Sequence, residues 1–148
     1  MRKLALAVVL LASCSEAKPP PSLETLSTPE GHPRSKVIAR GQSYLPADFL
    51  VQGYVIVLQF TLEGEKTCAQ AAPLVDRLVV RNDRVLMRKV ELGDGKSPAA
   101  QQVAVEHRYK QIPLPFFCIY DKSGVLVGKV EGPDLGALDW GIRKALLN

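Results

Sequence analysis

The chain has 148 residues, 47% of them hydrophobic, which suits a single domain with a substantial core. Its formal charge is +4, but Arg2 and Lys3 lie in a segment that we expect to be removed. From Cys14 onward 17 basic and 15 acidic residues remain, a net charge of only +2, which argues against nucleic acid as a partner. The densest basic run, between Arg77 and Lys89, is therefore interpreted as a solvated helix end.

The amino terminus, MRKLALAVVLLASC, has a basic start, an apolar run from Leu4 to Ala12 and then small residues, the pattern of a secretory signal. The run is too short to span a bilayer, which needs about 20 apolar residues. The stretch Leu11–Cys14 resembles the lipobox of bacterial lipoproteins, where the chain is cut before the cysteine and lipid is attached to its sulfur. The resemblance implies a signal peptide over 1–13 and a lipid anchor on Cys14, at the periplasmic face of the inner or outer membrane. An ordinary secretory signal with a chance cysteine is the alternative.

The next segment, SEAKPPPSLETLSTPEGHPRSK over 15–36, has few large apolar side chains and much proline. Such a composition cannot bury enough surface to offset the entropy of ordering, so we expect a disordered tether over 14–36. A proline-rich chain rises about 3.1 Å per residue, so this tether would hold a domain tens of ångströms from the bilayer. The globular domain is then expected to span 37–148.

Hydrophobic patterning predicts alternating strands and helices in that domain. A weak strand at 37–39 and a short helix or turn at 45–51 come first. The continuous apolar run YVIVLQF, 54–60, predicts a central strand buried on both faces. Residues 66–80 have helical composition, and Pro73 within them predicts a kink.

The second half continues the alternation with a strand at 85–92. Ser97 and Pro98 are a typical helix cap and first helical residue, and the helix is predicted to run to about Tyr109. FFCIY and VLVGKV, joined by the turn DKSG, predict an antiparallel hairpin, and 135–147 a final helix. This order predicts a parallel central sheet that ends in a hairpin.

The element order and several spacings resemble thioredoxin. Phe60 ends the buried strand, Pro73 lies in the next helix, and Cys68 stands five residues before that proline, at the second position of the Cys-x-x-Cys motif. Downstream, the family's aromatic residue, cis-proline and two glycines match Tyr109, Pro115, Gly124 and Gly132. The resemblance covers 37–147 and implies an α/β fold. This is a thioredoxin-like three-layer sandwich, with a central mixed sheet of four to five strands and flanking helices.

The motif itself is incomplete, because Glu65 occupies the position of the first cysteine in the stretch EKTC. Thiol–disulfide exchange needs an attacking thiolate and a second sulfur to release the mixed disulfide. Glu65 cannot attack, and its negative charge disfavours a thiolate nearby. Gln59 also replaces the family's buried acid, and 61–64 replaces its tryptophan-containing loop. These departures predict that ordinary dithiol turnover is absent.

The retained scaffold implies a membrane-tethered module that binds an extended peptide or protein beside Glu65, Leu114 and Pro115, the groove where active relatives hold substrates. The alternative is a monothiol redox protein or sensor acting through Cys68, although a buried core cysteine is the simpler interpretation. A structural lipoprotein subunit is a third possibility.

Other chemistries have less support in the sequence. We expect no cofactor and no metal site, because no ligand spacing is found and His107 is expected on the surface of a helix. Cys118 is expected in the core of its strand. The resemblance to thioredoxin places Cys118 three residues along the strand from Pro115. That position favours free thiols over a disulfide with Cys68, which requires Cα atoms within about 7 Å.

Overall fold

A computed structural model of the chain describes residues 22–148. Its centre is a five-stranded sheet in the order β1-β3-β2-β4-β5. Strands β1, β3 and β2 run parallel, whereas β4 pairs antiparallel with both β2 and β5. The predicted parallel sheet with a terminal hairpin is confirmed. The strand bounds are β1 (Ser35–Arg40), β2 (Val55–Thr61), β3 (Val85–Glu91), β4 (Phe116–Tyr120) and β5 (Leu126–Glu131).

Helices cover both faces of this sheet, which gives the predicted three layers. The helices are α1 (Pro46–Phe49), α2 (Lys66–Val80), α3 (Pro98–His107) and α4 (Leu135–Leu147), preceded by a single 3₁₀ turn at Leu23–Thr25. Helix α3 ends two residues earlier than predicted, because Arg108 adopts a left-handed conformation with φ of 59° that closes the helix. In the described part of the chain, no helix combines the length and apolar character needed to cross a bilayer.

Two cores lie on opposite faces of the sheet, because side chains alternate along each strand. In β2, Ile56, Leu58 and Phe60 pack into the core beneath α1 and α3, which we call the α1/α3 core. Val55 and Val57 of the same strand pack beneath α2 and α4, in the α2/α4 core. The strand is buried on both faces, as its apolar run predicted.

Ordered structure begins well before residue 37, so the prediction of a disordered tether does not hold for 22–36. Leu23 is only 3% exposed and belongs to the α2/α4 core. Ser27 and Pro33 form a β-bridge, and the backbone N–H of Thr28 donates to the carbonyl of His32 at 2.8 Å. This part of the predicted tether therefore belongs to the domain. Residues 1–21, which include the predicted signal peptide and Cys14, lie outside the described residues.

Arg34 fastens this amino-terminal segment to the end of α2. Its Nη2 donates to the carbonyl oxygens of Val79 at 2.9 Å and Asn82 at 2.6 Å. The carbonyls at the end of a helix lack regular helical partners, and these two otherwise accept only longer backbone bonds, at 3.2 and 3.3 Å, so the charged side chain is their shorter donor. The Arg34 side chain is 7% exposed, and its Nη1 lies 3.5 Å from the Asp83 carboxylate. One buried side chain therefore orders a segment whose composition predicts disorder.

Candidate functional site

The candidate site lies where the carboxyl end of β2, the start of α2 and the turn before β4 meet. Phe60, near the end of β2, pairs with Phe116 at the start of β4, and their rings stack with centroids 5.4 Å apart. The bond between Leu114 and Pro115 is cis, as the resemblance implied. This geometry places the turn that contains Leu114 beside the first residues of α2.

Glu65 caps the amino terminus of α2. Its Oε1 accepts hydrogen bonds from the Thr67 backbone N–H at 3.5 Å and from the Thr67 hydroxyl at 2.9 Å. A carboxylate is favourable here, because the free N–H groups of the first turn carry partial positive charge. The residue at the position of the attacking cysteine therefore has a structural role in starting the helix.

Thr67 joins the two sides of the site. Its Oγ1 lies 3.2 Å from the carbonyl oxygen of Leu114 as well as close to Glu65. A hydroxyl has one proton, so Thr67 donates to only one of these two acceptors at a time. Of the residues predicted for the site, the structure brings Glu65 and Leu114 together through this threonine, with Pro115 next in the chain.

Cys68 lies in the first turn of α2 and is 6% exposed. Burial raises the pKa of its thiol above the usual value; the backbone N–H of Leu62 opposes this, and the carboxylate of Glu65 raises the pKa further. The thiolate is the nucleophilic form of cysteine, so a raised pKa makes Cys68 a poor nucleophile near pH 7.

Two open grooves flank the start of α2. Leu114 lines one of them and Cys68 lines the other. The larger groove, of about 780 Å³, is lined by Leu114 but by neither Cys68 nor Pro115. Its apolar wall comes from Leu62, Leu92, Ala100, Ala104, Ile112 and Pro113, with Glu65, Thr67, Gln101, Gln111 and Lys110 as polar groups. Cys68 instead lines the smaller groove, of about 420 Å³, together with the buried Gln59 and with Lys89.

The sheet separates the two thiols of the described chain. Cys118 points from β4 into the α1/α3 core, whereas α2, which carries Cys68, covers the opposite face. Both cysteines are free. The expectation that they do not form a disulfide therefore follows from the alternation of side chains along β4.

The prediction that His107 lies on the surface is wrong. Its side chain is 6% exposed, and its ring packs edge-on against Phe60 and Phe116. Nε2 lies 3.6 Å from the Sγ of Cys118, and Nδ1 is buried with no hydrogen-bond partner among the described residues. The signal that was missed is the four-residue spacing from the buried Val103, which places both side chains on the inner face of α3.

The contact between His107 and Cys118 joins two neutral groups. Burial lowers the pKa of His107, and the nearby Lys129 lowers it further. Burial also raises the pKa of Cys118 to about 12. A thiolate–imidazolium pair, which nucleophilic cysteines use, is therefore disfavoured near pH 7. The pair contributes to the packing of α3 on the sheet.

The buried histidine is expected to make the domain less stable in weak acid. Unfolded histidine titrates near pH 6.5, but His107 in the folded chain has a lower pKa, so just below pH 6.5 the unfolded chain binds more protons. The contribution of His107 to the free energy of unfolding therefore decreases as the pH is lowered, by at most about 1.4 kcal/mol per pH unit. Urea titrations between pH 5 and 7 measure the slope.

His107→Gln is expected to flatten that slope relative to wild type, because glutamine does not titrate. His32→Gln makes the same change at the other histidine of the chain and serves as the matched control. Equal slopes in wild type and His107→Gln would contradict the assignment of His107 as a buried neutral group.

Metal-binding clusters are not found in the part of the chain that the structure describes. Between residues 22 and 148, no three or more histidine, cysteine, aspartate or glutamate side chains come together in a way that could hold an ion.

No protein-family model matches the sequence, and no curated protein is significantly similar to it. Solved structures do resemble the fold. The short form of spinach chloroplast thioredoxin f aligns over 74% of this chain and 93% of its own, with 21% identity and a TM-score of 0.57. Chlamydomonas reinhardtii thioredoxin f2 aligns over 76% and 99%, with 15% identity and a TM-score of 0.58. Malassezia sympodialis thioredoxin aligns over 76% and 92%, with 19% identity and a TM-score of 0.54. The chain therefore has a thioredoxin-like fold.

Proposed function

We propose that this protein is a membrane-tethered, extracytoplasmic binding module that holds an extended peptide, or a segment of a partner protein, without dithiol turnover. The ligand would lie in the larger groove, beside Leu114. The observation that carries the proposal is the helix-capping role of Glu65 at the position of the attacking cysteine. The tether is the lipid on Cys14 that the sequence predicts, at the periplasmic face of a membrane.

The groove has the composition expected of a peptide site, with a mostly apolar wall and a few polar groups that fix orientation. The carbonyl of Leu114 is a suitable acceptor for a peptide N–H, because Thr67 can turn its single proton to Glu65 instead. Lys110 and Glu65 supply one charge of each sign at the groove. An extended segment with an apolar side chain fits this arrangement best.

The monothiol alternative has less support. Cys68 is buried, its pKa is raised, and it opens towards the smaller groove rather than the one beside Leu114. A redox role would require a thiolate that reaches a substrate sulfur. Burial and the neighbouring Glu65 both oppose that form.

The groove can be tested with peptides selected from a random library on the full mature chain. Fluorescence anisotropy then gives the dissociation constant of each selected peptide. Gln101→Trp places a large side chain in the groove and is expected to weaken binding at least about tenfold, roughly 1.4 kcal/mol, by steric exclusion.

Val105→Trp is the matched control, because Val105 is 78% exposed on the same helix and does not line the groove. It is expected to leave the dissociation constant unchanged. Equal affinity of Gln101→Trp and wild type for every selected peptide would place binding elsewhere. Loss of binding in Cys68→Ser, with the fold intact, would favour the monothiol alternative instead.

A further inference from the structure

We infer that the outer surface of α2 and α4 docks onto the anionic headgroups of the bilayer that carries the lipid anchor. We call this surface the α2–α4 outer face; its basic and apolar residues are Arg77, Val80 and Arg81 on and just after α2, and Trp140, Arg143, Lys144 and Leu147 on α4. The inference rests on the proposed lipid anchor at Cys14.

Helix α4 exposes two large apolar side chains, Trp140 and Leu147, to solvent. Leu138, Ile142 and Ala145 face the sheet and are buried. On the opposite side of the helix, Trp140 is 70% exposed and Leu147 is 88% exposed. They are seven residues apart, two helical turns, so they lie on one line along the helix. Arg143 and Lys144 flank that line.

Helix α2 continues the same layer with further basic side chains. Ala71, Val75 and Val79 point to the sheet, which leaves Arg77, Val80 and Arg81 outward. Val80 is 43% exposed. The outer side of this helix therefore repeats the combination of basic and apolar side chains found on α4.

The carboxylates of these two helices cancel only part of the basic charge. The sequence places one in each helix, Asp76 in α2 and Asp139 in α4. Asp139 pairs with Arg143 at 2.8 Å and so neutralises one basic side chain of the face, and Asp76 is half-buried. Arg77, Arg81 and Lys144 have no carboxylate partner among residues 22–148. The exposed Asp83 follows α2, where it lies by Arg34. A positive surface with an exposed tryptophan and leucine matches an anionic lipid surface, where tryptophan prefers the interface and basic residues the headgroups.

The packing of Leu23 places the amino-terminal segment of the domain on the same side as this face. Leu23 packs in the α2/α4 core, so the chain reaches the domain on the α2–α4 side of the sheet. Only residues 15–21 separate Cys14 from Ser22, and a fully extended chain spans at most about 3.6 Å per residue, so the anchor reaches about 29 Å. A domain of this size has a radius of gyration of about 14 Å. The anchor is therefore no longer than about one domain diameter.

Docking in this orientation leaves the larger groove free. That groove is lined by Ala100, Gln101 and Ala104 of α3, which covers the opposite face of the sheet from α2 and α4. A peptide or partner protein would then approach from the side away from the bilayer.

Trp140 is the single tryptophan of the chain, so its fluorescence reports on this face directly. The lipidated full-length mature protein is reconstituted into phosphatidylcholine vesicles with and without phosphatidylglycerol. With phosphatidylglycerol, Trp140 emission is expected to shift to the blue and to be quenched by brominated acyl chains. Without it both effects are expected to be small, and added salt is expected to reduce the shift because headgroup charge is screened.

The triple variant Arg77→Glu/Arg81→Glu/Lys144→Glu is expected to lose the blue shift while it still floats with the vesicles through its lipid. The matched control, Lys96→Glu/Arg108→Glu/Lys110→Glu, makes the same charge change at and near α3 and is expected to keep the shift. The inference is overturned if the wild-type emission is identical on both vesicle types or if the two triple variants behave alike. It is also overturned if the shift needs membrane proteins and is absent with pure lipid, since the face would then bind protein.

The anchor is tested separately by flotation on pure phosphatidylcholine vesicles. Cys14→Ala is expected not to float with the vesicles, whereas wild type and both triple variants are expected to float. Full flotation of Cys14→Ala would refute the anchor and with it the proposed tethering. Loss of flotation in Cys14→Ala together with an unresponsive wild-type Trp140 would refute only the docking face.

Discussion

Glu65→Cys is expected to give this protein a disulfide reductase activity that, under the proposed function, the wild-type chain lacks. The substitution places a second sulfur three residues before Cys68 at the amino terminus of α2, where the free N–H groups of the helix favour a thiolate. It also removes the carboxylate that raises the pKa of Cys68. With two sulfurs a mixed disulfide can be released within the protein, so dithiothreitol-linked insulin reduction should rise at least about tenfold over wild type.

Two further variants make this result interpretable. Glu65→Cys/Cys68→Ser keeps an attacking sulfur but has no partner to release the mixed disulfide, so it is expected to fall back to the wild-type rate. Glu65→Cys/Gln59→Asp restores a buried acid beside Cys68 and tests whether the missing acid limits turnover further. A wild-type rate that is substantial and vanishes in Cys68→Ser would instead contradict the proposed function.

Arg34→Met is expected to lower the free energy of unfolding by about 2–4 kcal/mol. The substitution keeps much of the buried side-chain volume but removes the charged donor to the carbonyls of Val79 and Asn82. These carbonyls keep only longer backbone bonds, at 3.2 and 3.3 Å, and a hydrogen bond to a charged group contributes about 1.5–3 kcal/mol. The substitution also loosens 22–36, which the arginine holds against α2. Urea denaturation gives the free energy, and hydrogen exchange at the Thr28 and Arg34 amides, both bonded within this segment, reports its order.

Arg40→Met is the control for the loss of an arginine charge as such. Arg40 pairs with Glu91 at 2.6 Å, but the two side chains are 66% and 39% exposed, and exposed ion pairs contribute only about 0–1 kcal/mol. Arg40→Met should therefore change stability by less than about 1 kcal/mol. If Arg34→Met costs no more than this control, or leaves exchange in the segment unchanged, the fastening role of Arg34 is wrong.

The ordering of 22–36 changes how the proposed tether would work. A chain disordered from Cys14 to residue 36 would let the domain move far from the bilayer in any orientation. The structure leaves only 15–21 between the predicted lipid and a segment packed on the α2–α4 side. A lipid on Cys14 would then hold the domain closer to the bilayer than a tether that ran to residue 36.

The sequence predicted the elements and their arrangement well, because the signals for them are local. Apolar periodicity placed α2, β4 and α4 within the bounds that the structure has, and Ser97 before Pro98 marked the start of α3. Strands that alternate with helices along the chain favour a parallel sheet, and a continuous apolar strand such as 54–60 favours a sheet that is covered on both faces. The resemblance to thioredoxin, counted from Phe60 and Pro73, also placed Glu65 and Cys68 at the start of α2.

Only the tertiary structure decided which individual side chains are buried and what they contact. Arg34 and Val79 are 45 residues apart in the chain, and Thr67 and Leu114 are 47 apart. Composition averages over a segment, so it could not show that Leu23 and Arg34 order 22–36, nor that His107 turns into the core beside Cys118. Local pattern determines which elements form, whereas burial depends on partners that folding brings together. For the same reason, only the structure revealed that Cys68 and Leu114 open into different grooves.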